Sequence, residues 1–168
     1  RLCFQTCVML GGMPYRRGMN APAEEDHAAV EGALAQMELV HMRDRAATRR
    51  SGGEQARVLL ARAMAQQTPL LLADEPVAGL DPAHQIATMQ SFKALTDVGK
   101  SCLVSLHDLG LAARHCTRLI MLGKGGLVAD GAPSEVLTEA RLAEVFGITA
   151  WYQTTDDGPV YQPLDVVK

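Results

Sequence analysis

The feature that most constrains the fold is a pair of short apolar runs with a helical segment between them. Leu70 to Ala73 and Cys102 to Leu106 have strand length, and continuous apolar runs of this kind are typical of strands covered on both faces. Between them, Asp81 and Pro82 mark the start of a helix that is predicted to run to about Asp97. A strand, a helix and a second strand in this order indicate parallel strands joined by a crossover. The sequence therefore predicts an α/β fold.

The flanking segments are predicted to add helices and further strands. Apolar residues spaced three or four apart predict an amphipathic helix over Glu24 to Val40. Lys124 to Gly126 lies between two apolar runs and predicts a β-hairpin. A last helix is expected to be capped by Thr138 and to end near Gly147. We expect residues 148–168 to form edge strands.

Composition describes an ordinary globular protein and excludes several classes. The 168 residues include 16 basic and 19 acidic side chains, so the net charge of −3 argues against a nucleic-acid-binding protein. No apolar run approaches the roughly 20 residues of a membrane-spanning helix. The four cysteines, Cys3, Cys7, Cys102 and Cys116, form no Cys-x-x-Cys pair. We therefore expect free thiols rather than a zinc site.

The segment Ser51-Gly52-Gly53-Glu54-Gln55 carries two possible interpretations. Ser51 and Glu54 have the spacing of a capping box that opens a helix. A capping box does not explain Gly52 and Gly53, because each glycine costs up to about 1 kcal/mol of helix propensity relative to alanine. Glycines permit close approach to the backbone, and the free N–H groups of a helix N-terminus bind phosphate. The segment is either a helix cap or a phosphate contact.

Acidic and histidine side chains follow the two predicted strands directly. Asp74 and Glu75 stand at the carboxyl end of the first strand, where α/β folds place ligands. Asp74 could hold Mg²⁺ and Glu75 could polarise an attacking water, as in phosphoryl transfer; the alternative is a solvated turn before Pro76. His107 could contact a γ-phosphate; the alternative is that Asp108 caps a helix and His107 is its incidental neighbour.

In their order and spacing, these motifs resemble the nucleotide-binding subunit of ATP-binding-cassette (ABC) transporters. Ser51 to Gln55 match the signature motif, Leu70 to Asp74 match the Walker B strand, and Glu75 matches the catalytic base. Ala78 to Asp81 match the D-loop, and His107 matches the switch histidine. The resemblance implies catalytic roles for Glu75 and His107 and a metal-binding role for Asp74. It implies nucleotide contacts for Ser51, Gly52, Gly53, Glu54, Gln55 and Asp81.

The resemblance extends over residues 8–147 and implies an incomplete P-loop NTPase core with an inserted helical subdomain. Residues 1–50 would form the helical subdomain, 51–147 the carboxyl-terminal part of the ATPase core, and 148–168 a tail. The Walker A pattern Gly-x-x-x-x-Gly-Lys followed by Ser or Thr does not occur in the 168 residues, and no Q-loop glutamine is evident. We therefore expect a fragment that binds ATP poorly on its own.

A subgroup of the family is indicated by weaker similarities. Met9 to Tyr15, His84-Gln85 and Leu106 to Ala113 are similar to ATPases that serve iron–siderophore, haem and cobalamin importers. Two positions depart from the pattern: Gly12 replaces an arginine common in the subgroup, and Arg50 replaces the leucine that usually opens the signature motif. The resemblance implies an ATPase that energises import of an iron chelate or a related metal complex.

In this family two nucleotide-binding subunits pair head to tail, with each ATP between one subunit's Walker A loop and the other's signature helix. The resemblance thus implies ATP and Mg²⁺ as cofactors, a second nucleotide-binding subunit and transmembrane permease subunits as partners, and no nucleic acid. It also implies a peripheral location on the cytoplasmic face of the bacterial inner membrane. Two alternatives stay open: a degenerate, non-hydrolysing docking or regulatory protein, and a soluble ABC-type ATPase acting outside transport.

Overall fold

The computed structural model describes residues 2–12, 21–47 and 52–167. Packing divides the chain into two units, Arg1–Ser105 and Leu106–Lys168. The described elements of the first unit are α1 (Phe4–Met9), α2 (Glu24–Gln36), a 3-10 turn (Val40–Met42), α3 (Gly52–Met64), β1 (Leu70–Ala73), α4 (Pro82–Asp97) and β2 (Ser101–Val104). Those of the second are α5 (Leu109–His115), β3 (Leu119–Gly123), β4 (Gly126–Gly131), α6 (Pro133–Val136), α7 (Glu139–Phe146), β5 (Ile148–Thr155) and β6 (Gly158–Val166). The predicted segments 1–50, 51–147 and 148–168 follow a different division and stay a prediction.

The strand–helix–strand prediction is confirmed in the first unit. β1 and β2 are parallel, with Leu70 opposite Ser101 and Ala73 opposite Val104, and α4 connects them. The expectation that β1 is covered on both faces is wrong. Leu71 is buried, whereas Leu70 and Leu72 are 50% and 67% exposed. Alternate residues of a strand point to opposite faces of the sheet, so Leu70 and Leu72 share one face. That face is open in the described part of the chain, while α4 packs against β2.

The helical layer of the first unit consists of α1, α2 and α3, which contact one another. Buried apolar side chains fill the layer, including Phe4, Val8, Leu34 and Val58. The predicted helix over Glu24 to Val40 ends early, at Gln36. Its early end follows from Glu38, which has a φ of +57°. That turn allows the N–H of Leu39 to donate to the carbonyl of Leu34 at 2.8 Å, and it buries the Leu39 side chain completely.

The second unit has its own core and two hairpins. The predicted hairpin is confirmed: β3 and β4 are antiparallel and the connecting residues Lys124 and Gly125 both have positive φ, as a two-residue hairpin turn requires. The expected edge strands are β5 and β6, which pair with each other. The core is lined by Ala113, Met121, Ala129, Val136, Leu137 and Leu142.

Helix ends in the chain largely follow their predicted signals. Asp81 is the N-cap of α4 with Pro82 in the first turn, and the helix ends at Asp97 as expected. α7 ends at Gly147, which adopts the left-handed conformation. Thr138 is the N-cap residue of α7, as predicted, although its side chain makes no capping hydrogen bond.

The four cysteines are free, as expected. Among the described residues, no helix combines the length and the apolar character that a membrane crossing requires.

Candidate functional site

Asp74 and Glu75 follow β1 directly and are both exposed. A side chain from the end of the neighbouring strand joins them. The hydroxyl of Ser105 donates to Oδ1 of Asp74 at 2.5 Å and accepts the backbone N–H of Glu75 at 2.9 Å. The parallel pairing brings these groups together, because the N–H of Ser105 also donates to the carbonyl of Ala73 at 3.0 Å. At the carboxyl ends of β1 and β2, one hydroxyl thus contacts both the carboxylate of Asp74 and the backbone of Glu75.

The backbone turns sharply at Glu75. This residue has a φ of +44°, in the left-handed region that non-glycine residues rarely adopt. Its carbonyl accepts the N–H of Ala78 at 3.1 Å, and Gly79 follows with a φ of +70°. The turn leads from the two carboxylate residues into Asp81 and α4. Strained backbone of this kind clusters at functional sites.

Asp81 both caps α4 and holds a histidine. Its carboxylate accepts the backbone N–H of His84 at 3.1 Å and lies 2.5 Å from Nδ1 of the same residue. The backbone N–H of His84, followed by its ring, lowers the pKa of Asp81 below its ordinary value. Asp81 is therefore ionised at neutral pH and fixes the orientation of the His84 ring.

The start of α3 lies against the start of α4. A Cβ at Gly53 would collide with the His84 ring, and a Cβ at Gly52 would lie 3.3 Å from Cδ2 of Leu80. Gly53 is buried and Gly52 is exposed. Packing by itself therefore requires glycine at position 53, which the phosphate interpretation had explained by close approach of a ligand. Ser51, and with it the proposed capping box, lies outside the described residues.

Glu54 and Gln55 complete the first turn of α3. The carboxylate of Glu54 accepts a hydrogen bond from Nη1 of Arg45 at 2.7 Å, and its side chain is only 13% exposed. This ion pair holds the segment before α3 to the helix. Gln55 is exposed. Of the two, Gln55 has the exposed side chain, while Glu54 pairs with Arg45 within the unit.

The strand-end carboxylates suit a hard cation that keeps most of its ligands from other sources. Among the described residues, no group of three or more His, Cys, Asp or Glu side chains could enclose a metal ion. Mg²⁺ is usually bound by one or two carboxylates together with phosphate oxygens and water, rather than by an all-protein cage. Asp74 and Glu75 therefore fit a magnesium site that a bound nucleotide would complete.

His107 belongs to the second unit and is exposed. The residue after it, Asp108, is the N-cap of α5 and accepts the N–H of Leu111 at 2.8 Å. The capping alternative weighed for Asp108 is therefore confirmed, and a role for His107 stays a prediction.

Sequence reasoning missed Ser105 and undervalued His84. Ser105 stands directly after β2, so the strand-end rule that selected Asp74 could have selected it too. Nothing in the sequence signals the contact between Gly53 and His84, which are 31 positions apart and meet only through helix packing.

Comparison with known proteins identifies relatives of the chain. Residues 2–78 match the family model described as ABC transporter. The hemin import ATP-binding protein HmuV of Bordetella avium strain 197N is 42% identical over 151 residues, which cover 85% of this chain and 57% of that protein. HmuV of Pseudomonas entomophila is also 42% identical over 151 residues, which cover 87% of this chain and 58% of that protein. The chain thus spans a little over half the length of these curated relatives.

Solved structures share the fold. The structure of a metal-chelate type ABC transporter in an inward-facing conformation superposes with a TM-score of 0.87 at 21% identity, over 99% of this chain and 67% of that one. A dimeric ATP-binding cassette bound to ADP and Pi superposes with a TM-score of 0.63 at 30% identity, over 79% and 57%. The predicted P-loop NTPase fold of an ABC ATPase is thereby confirmed. Together with the family match over residues 2–78, these similarities show that the chain carries an ABC transporter domain segment and is homologous to hemin import ATP-binding proteins, of which it spans part.

Proposed function

We propose that the chain is part of the ATP-hydrolysing subunit of an importer for haem or a related metal chelate. The observation that carries this proposal is the pair Asp74 and Glu75, exposed together at the carboxyl end of β1 and both engaged by Ser105. The family and the relatives support it, because ATP-binding subunits use such carboxylates for phosphoryl transfer.

The residues of the site divide the chemistry between them. Asp74 would hold Mg²⁺, which would offset charge on the phosphate oxygens. Glu75 would accept a hydrogen bond from a water and orient it for in-line attack on the terminal phosphate. His107 would take the role of the family's switch histidine. Asp81 would contribute indirectly, because its bonds to His84 fix the start of α4 beside the turn.

The start of α3 would serve a nucleotide bound mainly by a second subunit. The first N–H groups of a helix have no intrahelical partner and attract anions. Ser51, Gly52, Gly53 and Gln55 would present this end of the helix to ATP held in the partner's phosphate loop. The dimeric cassette similar to this chain was solved with ADP and Pi, which supports a second nucleotide-binding subunit as partner.

The relatives support a proposal about the cargo and the location. Curated relatives are named hemin import ATP-binding proteins, and a structural relative is a metal-chelate type transporter. We infer a complex with transmembrane permease subunits, in which this subunit lies on the cytoplasmic face of the bacterial inner membrane. Closure of the dimer around ATP would drive the permease as a rigid-body switch.

A Glu75→Gln substitution in the complete subunit tests the proposal. Because an amide cannot act as a base, ATP turnover should fall by at least about 100-fold, within the range that general-base catalysis contributes, while ATP still binds. Glu25→Gln, which changes an exposed acid in α2, is the matched control and should hydrolyse normally. Unchanged turnover in Glu75→Gln would remove Glu75 from the base role.

The cargo is tested with the complete transporter in lipid vesicles. Hemin, a ferric siderophore and cobalamin are supplied in turn with the matching binding protein, and ATP turnover is measured. Stimulation by hemin supports the haem assignment. Stimulation by another chelate alone assigns that chelate instead, and turnover that no chelate and no permease affects would favour an ATPase acting outside transport.

A further inference from the structure

We propose that Ser105 is a positioning residue for hydrolysis. Its single hydroxyl orients the Asp74 carboxylate and fixes the backbone of Glu75. This inference rests on the proposed function, because it assigns Ser105 a task only if Asp74 and Glu75 do the chemistry. Ser105 is not among the motif residues that the family resemblance identified. Its role is argued from the contacts that the parallel strands create.

The direction of both hydrogen bonds is fixed by chemistry. An ionised carboxylate can only accept, so the Ser105 hydroxyl must donate to Oδ1 of Asp74 at 2.5 Å. A backbone N–H can only donate, so the oxygen of the same hydroxyl accepts from Glu75 at 2.9 Å. A serine hydroxyl has one proton and two lone pairs, and both contacts can therefore exist together. Ser105 links the two carboxylate residues without using their remaining oxygens.

The contact to Glu75 acts where the backbone needs support. A φ of +44° at a glutamate is unfavourable, and such conformations persist only where surrounding structure over-determines them. Backbone hydrogen bonds support this residue: its N–H donates to Ser105, and its carbonyl accepts from Ala78 at 3.1 Å. Removing the hydroxyl removes the first of these bonds, so the direction in which the Glu75 side chain leaves the backbone becomes less defined.

The backbone of Ser105 is itself held in place by the sheet. The N–H of Ser105 donates to the carbonyl of Ala73 at 3.0 Å, which extends the β1–β2 ladder by one bond. The backbone of Ser105 is thereby fixed to β1, and its side chain acts from a rigid support. A positioning residue on a strand end is more precise than one on a free loop.

The first test measures the backbone of Glu75 without any nucleotide. The chain contains a single Asp-Glu sequence, Asp74-Glu75, so labelling aspartate carbonyls with ¹³C and glutamate nitrogens with ¹⁵N selects one amide in the spectrum of the chain. Ser105→Ala should speed hydrogen exchange of this amide about 3- to 10-fold, the range of one net hydrogen bond. Ser105→Thr should restore slow exchange, and Ser101→Ala, at the exposed start of the same strand, should leave it unchanged. Equal exchange in Ser105→Ala and the unmodified chain would overturn the proposal.

The second test uses the complete subunit with ATP. Ser105→Ala should lower kcat by about 10- to 100-fold, as small misplacements of reacting groups do, with a change in KM for ATP of less than about threefold. Ser105→Thr should recover most of kcat, because it retains the hydroxyl. A kcat that Ser105→Ala leaves unchanged, or that Ser105→Thr does not recover, would refute the positioning role.

A third measurement separates this inference from the proposed function. Mn²⁺ replaces Mg²⁺, and its binding with ATP is followed by electron paramagnetic resonance in Asp74→Asn and in Ser105→Ala. If Asp74→Asn leaves the Mn²⁺ signal unchanged, the metal role in the proposed function fails. If Asp74→Asn weakens Mn²⁺ binding while Ser105→Ala changes neither the signal nor the Glu75 amide, only the inference about Ser105 fails.

Discussion

Replacing Gly53 with alanine should destabilise the chain through one contact, the His84 ring. The added Cβ would overlap ring atoms of His84, and overpacking of this kind costs about 1–3 kcal/mol. The ring cannot swing aside freely, because Nδ1 of His84 lies 2.5 Å from Oδ2 of Asp81. Alanine also gains up to about 1 kcal/mol of helix propensity over glycine in α3. We therefore expect a net loss of about 1–2 kcal/mol.

A double-mutant cycle isolates this contact. Urea unfolding is measured for the unmodified chain, Gly53→Ala, His84→Ala and the double variant. Once the ring is absent, only the helix gain remains, so Gly53→Ala should stabilise the His84→Ala chain by up to about 1 kcal/mol. Gly52→Ala is the matched control, because its Cβ meets only the flexible end of Leu80 at 3.3 Å, and it should stay within about 0.5 kcal/mol. Equal destabilisation by Gly53→Ala with and without the ring would refute the reasoning.

Two further predictions concern the second unit. Asp108→Ala should cost about 0.5–2 kcal/mol in urea unfolding, because Asp108 caps α5 through Leu111, whereas Thr138→Ala should change stability by only a few tenths of a kcal/mol, since Thr138 makes no capping bond; equal losses would contradict the assignment. Burial, and then the charge of Arg114, lowers the pKa of His115 below 6.5, so the unfolded state binds this proton more readily and stability is lost as pH falls through 6.5. His115→Phe should flatten that part of the stability–pH curve, and an unchanged slope would exclude His115 as its cause.

The backbone of the first unit was predictable wherever a local rule determines it. β1 matches its apolar run residue for residue, and the Asp81-Pro82 pair correctly marks the start of α4. The parallel pairing also followed from the order of elements alone. Burial was less predictable, because an apolar run shows that a strand can be covered but not whether both faces are. The open side of β1, with Leu70 and Leu72, shows that difference.

The acidic residues of the candidate site could be predicted from the sequence, but the residues that position them could not. Asp74 and Glu75 could be selected from the sequence, because their side-chain type and their position at the end of a strand are both visible there. Ser105 and His84 could not be selected in this way, because their contacts depend on the fold. Ser105 contacts the Asp74 carboxylate and the Glu75 backbone across the parallel strand pair, and His84 contacts Gly53 between two helices. The glycine at position 53 therefore has a structural cause that exists without any ligand. The presence of two glycines is therefore no evidence that the start of α3 binds phosphate. The evidence for such a role is the free N–H groups of the helix and the exposed position of Gly52. A nucleotide-dependent shift of the Gly52 amide resonance in the assembled dimer, present with ATP and absent with adenosine, is the observation that such a role requires.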